Sequence, residues 1–72
     1  MTGEIRLLDV VALTADVPGK GLLRGQVGTV VEELSGDFFE VEFSNDQGRS
    51  YAQLALPRSQ LLVLHYDAAP AA

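Results

Sequence analysis

The 72-residue chain contains no cysteine. Disulfides, thiolate metal sites and thiol nucleophiles are therefore excluded together, and the composition fits a reducing compartment, with the cytoplasm as the expected location. Positive charge is scarce as well. Five lysines and arginines stand against ten aspartates and glutamates, giving a formal charge of −5 and a pI near 4.5. Neutralising phosphates requires a clustered positive surface, so this balance disfavours a nucleic-acid partner. Long apolar runs are missing too. Stretches such as Leu61-Leu62-Val63-Leu64 fall far short of the roughly 20 residues that cross a bilayer. The opening from Met1 to Arg6 has neither the basic start nor the apolar core of a secretory leader. No membrane segment and no export by that route are expected. Histidine occurs once, as His65. A nucleophile needs a positioned base beside it, so one isolated histidine gives no basis for a triad. Together with Asp67 it offers too few ligands for a structural zinc site, which normally takes four.

Hydrophobic residues make up 47% of the chain and charged residues 21%, the balance of a folded protein rather than a disordered one. A chain of this size forms one domain and buries only about 60% of the surface its unfolded form exposes. The expected domain runs from residue 1 to 66, followed by a flexible tail over 67–72 that lacks a bulky apolar anchor.

Five short strands are separated by turn signals. Leu7 to Leu13 is nearly all apolar, with Val10 and Val11 β-branched, and predicts a first strand. Ala15 to Gly21 collects proline and glycine and predicts a long loop. Gln26 to Leu34 predicts a second strand, in which adjacent Val30 and Val31 break the alternation and suggest a bulge at Gly28. After Ser35-Gly36-Asp37, the segment from Phe38 to Phe43 alternates cleanly and puts Phe39, Val41 and Phe43 in the core. Asn45-Asp46-Gln47-Gly48 predicts a tight turn and Arg49 to Leu56 a fourth strand. Pro57 ends that strand, and one helical turn over Pro57–Gln60 leads into a last strand from Leu61 to His65. The expected architecture is all-β, a small five-stranded, half-open barrel.

The segments Leu8-Asp9-Val10-Val11-Ala12-Leu13, Arg24-Gly25-Gln26-Val27-Gly28-Thr29-Val30-Val31, Glu40-Val41-Glu42-Phe43 and Leu56-Pro57 resemble a bacterial family of uncharacterised small proteins. That resemblance spans roughly Leu7 to Leu64 and implies an SH3-like barrel, with no catalytic residues carried over. The glycine-valine core also looks like the KOW motif of ribosomal and transcription proteins. Those domains usually bring a basic face, which this acidic chain lacks.

The remaining candidates are surfaces. Glu32, Glu33, Asp37, Glu40 and Glu42 fall on neighbouring strands and suggest a calcium site, an acidic face for a basic partner, or ordinary solvated glutamates. Gly19-Lys20-Gly21 lacks the glycine spacing and the following helix of a phosphate loop. Alternation turns Phe38 away from the core, and Tyr51 and Tyr66 are similarly ambiguous. The sequence thus points to a non-enzymatic, monomeric protein-interaction module without cofactor or metal. Its partner would meet Lys20, Leu22 and Leu23 of the long loop, with Phe38, Glu40 and Glu42. A narrower version is an antitoxin or immunity-type protein. The alternatives are a KOW-like nucleic-acid or ribosome-associated domain, supported only if Arg24, Arg49 and Arg58 cluster, and an accessory subunit of an enzyme.

Overall fold

The computed structural model describes residues 4–69. Five strands, β1 (Val10–Leu13), β2 (Val27–Glu33), β3 (Phe38–Ser44), β4 (Ser50–Pro57) and β5 (Leu61–Val63), form one antiparallel sheet in the order β4-β3-β2-β1-β5. Every second residue faces inward, as the period of a strand requires. Val11 and Leu13 of β1, Val30 of β2, Phe39, Val41 and Phe43 of β3, Leu56 of β4 and Leu61 of β5 make one core, joined by Ile5 and Leu22 from outside the sheet. β4 and β5 are the two edges of the sheet, yet Leu56 and Leu61 share that core. The sheet therefore curls toward a partly open barrel.

The only helical structure among the described residues is three 3-10 turns, and the third, Arg58–Gln60, stands immediately before the last strand as expected. No helix among them is long and apolar enough to cross a membrane. Residues 67–69 of the expected tail are exposed, whereas residues 1–3 and 70–72 lie outside the described residues.

Two strands are shorter than the apolar pattern suggested. β1 begins at Val10, because Arg6–Asp9 closes into a turn. The Asp9 carboxylate accepts from the Arg6 amide at 2.9 Å, the Asp9 amide donates to the Arg6 carbonyl at 3.0 Å, and Leu8 takes a φ of 73°. Leu7 and Leu8 are consequently exposed. β5 ends at Val63, leaving His65 exposed beyond it.

The bulge also lies elsewhere. Register passes from Val30 opposite Val41 to Glu32 opposite Glu40, so Val31 is the extra residue, while Gly28 pairs regularly with Val11. Gly28 answers a different need. A Cβ at this position would lie 2.7 Å from Val41 Cγ1, 2.9 Å from the Glu42 carbonyl oxygen and 3.0 Å from Phe43 Cδ2. Close approach of β3 to β2 thus requires the missing side chain.

Candidate functional site

The β1–β2 connection and the ends of β1 and β5 border an open cleft of about 420 Å³ lined by Ala12, Leu13, Thr14, Arg24, Gly25 and Leu62. Local hydrogen bonds fix its rim. The Gly25 amide donates to the Leu13 carbonyl at 2.8 Å and the Leu13 amide to the Gln26 carbonyl at 2.9 Å, continuing the β1–β2 ladder past its last paired residues. Leu23 to Gln26 then forms a turn closed by the Gln26 amide on the Leu23 carbonyl at 3.0 Å. Gly25 has a φ of 93°, the positive value that a type II turn demands at its third position. Arg24 occupies the exposed corner of that turn. Its amide donates to Asp16 Oδ1 at 2.8 Å, the Leu23 amide to Gln26 Oε1 at 2.6 Å, and Gln26 Nε2 to the Tyr51 hydroxyl at 2.9 Å. The opposite wall is tied down by Thr14 Oγ1, which donates to the Ser59 carbonyl at 3.1 Å.

An apolar row crosses the outer face of the sheet next to this cleft. Ala12 is the register partner of both Leu62 on β5 and Val27 on β2, and directly opposed residues point to the same face. Leu62 is 57% exposed and Val27 46% exposed, whereas Ala12 is covered by its neighbours and lies outside the core cluster. Leu23, 61% exposed, stands on the adjoining turn.

The loop and strand candidates of the sequence separate in space. Lys20 is exposed at the end of the 3-10 turn Pro18–Lys20, and Leu23 is exposed as expected. Leu22 is not available to a partner. It is 2% exposed because its bridge to Val17 folds the loop back and inserts its side chain in the core. Phe38 is 42% exposed, but it starts β3 at the far end of β2. The seven-residue β2 lies between it and the end of the loop, about 20 Å measured along the strand. Glu40 and Glu42 are half-buried on the outer face of β3. Glu42 stands opposite Thr29, and Glu40 Oε2 accepts from Gln53 Nε2 at 3.2 Å.

Three of the five candidate carboxylates are committed individually. Glu33 Oε2 accepts from the Leu7 amide at 3.1 Å, Asp37 pairs with Arg58 at 3.3 Å, and Glu40 is held by Gln53. No group of three or more metal-binding side chains gathers among the described residues. Arg49 and Arg58 flank opposite ends of the eight-residue β4, roughly 25 Å long. Arg58 is further engaged, with its guanidinium carbon 5.7 Å from the centre of the Phe39 ring.

The outer row escaped the sequence reading, although a signal for it existed. Leu61 to Leu64 is apolar throughout. Once Leu61 and Val63 point inward on a strand of period two, Leu62 must point out. Arg24 gave less warning, because its place at the cleft depends on the turn around Gly25.

No curated protein and no solved structure matches the chain. Residues 7–63, spanning all five strands, match the family described as Domain of unknown function (DUF4926), and the chain belongs to that family.

Proposed function

We propose that this domain is a non-enzymatic protein-interaction module, acting as a monomer in the cytoplasm, whose partner docks on the outer face of β5, β1 and β2 and on the long loop. The observation that carries the reading is the Leu62–Ala12–Val27 row with its adjoining cleft. Covering such side chains releases about 25 cal/mol for each Å² of apolar surface removed from water. A rigid sheet holding an irregular loop is also a common way to present a binding surface. The cleft lining offers a guanidinium and a hydroxyl but no base beside the hydroxyl, which supports binding over catalysis. In its narrower form, an antitoxin or immunity-type protein, the module would mask a site on its partner with this same face. As an accessory subunit it would use the same face on an enzyme.

The test is capture of the partner from native cells, comparing wild type with Leu62→Asp. Because Leu62 is exposed, this variant should keep the wild-type denaturation midpoint while recovering about tenfold less of the specific partner. Undiminished recovery by the folded variant would remove the main support for this surface. The KOW-like alternative needs a basic face, against which stand the net charge of −5 and the placement of Arg49 and Arg58 at opposite ends of β4. Titration with single-stranded and duplex DNA and RNA near physiological ionic strength should therefore show no sub-micromolar binding. Tight binding with a steep salt dependence would reinstate that alternative.

A further inference from the structure

We propose that the cleft at the loop end of the barrel receives an extended segment of the partner protein in which an aliphatic side chain adjoins a carboxylate side chain. This rests on the protein-interaction reading and adds the chemistry of the ligand. The volume of about 420 Å³ lies within the ordinary range of ligand pockets, and two of its lining residues, Ala12 and Leu62, present aliphatic side chains on the outer face, whereas the Leu13 side chain is committed to the core. Leu62 and Ala12 define the subsite for the aliphatic group.

Arg24 defines the second subsite. Only five basic residues occur in the chain, and the ion pair found among the described residues belongs to Arg58 and Asp37. Arg24 is exposed, contributes to the cleft lining and has no carboxylate in salt-bridge range among the described residues. The Asp16 carboxylate accepts from the Arg24 backbone amide at 2.8 Å and thereby fixes the turn. A planar guanidinium with forked donors matches a carboxylate in two parallel hydrogen bonds, a geometry that lysine cannot supply.

The charge of the rest of the molecule sharpens this choice. A chain of net charge −5 repels acidic segments over most of its surface, so a carboxylate gains a favourable contact where Arg24 projects. The hydrogen bonds around Leu23, Gly25 and Gln26 hold that turn before any ligand arrives, which lowers the ordering cost of binding.

Short peptides with blocked ends provide the test, since their only charge is then the chosen side chain. Peptides presenting Leu-Glu, Leu-Gln or Leu-Lys in a common neutral background are titrated into isotope-labelled protein, and backbone amide shifts are followed by NMR. The Leu-Glu peptide should move the amides of Ala12, Thr14, Gly25 and Leu62 and bind about tenfold more tightly than Leu-Gln. Arg24→Glu, at an exposed corner, should fold normally and reverse the preference toward Leu-Lys. Equal binding of the three peptides, shifts confined to other residues, or concentration-dependent shifts of the same amides without peptide would each overturn the proposal, the last in favour of a second copy of the chain. Absence of peptide binding while Leu62→Asp still loses the captured partner overturns the ligand chemistry and leaves the interaction module standing. Peptide binding with undiminished capture by Leu62→Asp overturns the module reading and keeps a peptide site.

Discussion

Replacing Phe43 with alanine is expected to cost about 3–5 kcal/mol of folding stability, the range for deleting a fully buried aromatic ring. Phe43 is among the largest completely buried side chains, and its ring lies 6.4 Å from that of Tyr51. Small domains have little stability to lose. At about 0.05–0.15 kcal/mol per residue, a chain of this length holds roughly 4–11 kcal/mol in total. Phe43→Ala should therefore leave a protein with a sharply lowered denaturation midpoint, or one largely unfolded at room temperature. Chemical denaturation followed by circular dichroism reads this directly. An unchanged midpoint would contradict the placement of β3 in the sheet, because alternation ties Phe39, Val41 and Phe43 to one face.

Gly28→Ala adds a single methyl group and is expected to cost at least about 1–3 kcal/mol through overpacking. The added carbon would meet the Glu42 carbonyl oxygen at 2.9 Å and Val41 Cγ1 at 2.7 Å. Neither neighbour is the free end of a flexible side chain. Relief would require β2 and β3 to separate where Thr29 pairs with Glu42 and Val30 with Val41. Gly19→Ala is the matched control, since a Cβ at Gly19 meets nothing within 4 Å. Denaturation of the two variants in parallel should show a loss for Gly28→Ala and almost none for Gly19→Ala. Equal midpoints would mean that the glycine is not required by the approach of the strands.

The architecture was legible where a physical period was strong. β3 alternates over its whole length, and all three residues expected inside it are in the core. The turn at Asn45 was legible from its chemistry. The Asn45 side chain accepts from the amides of Gln47 and Arg49, and Gly48 takes a φ of 81°. Apolar content alone misled at the ends. Leu7 and Leu8 looked like strand, but the Arg6–Asp9 turn interrupts the ladder and the two leucines face solvent. Gly28 looked like a bulge because glycine serves both bulges and close approaches, and only the paired strand distinguishes the two.

The candidate site was less legible because it is assembled from distant parts of the chain. Composition marked the long loop as exposed, and Lys20 and Leu23 are exposed. Nothing local separates Leu22 from Leu23. The inward turn of Leu22 follows from its bridge to Val17, a tertiary fact. Within the continuously apolar β1 run, nothing local marks Ala12 as lying on the outer face between Leu62 and Val27.

Amide hydrogen exchange on the wild-type protein, with and without the partner captured from native cells, tests the central claim most directly. If β5, β1 and the loop present the working face, protection should rise at Ala12, Leu23 to Val27 and Leu62, and change little around Phe38, Glu40 and Glu42. Protection confined to Phe38–Glu42, with Leu23 to Val27 and Leu62 unaffected, would contradict the account.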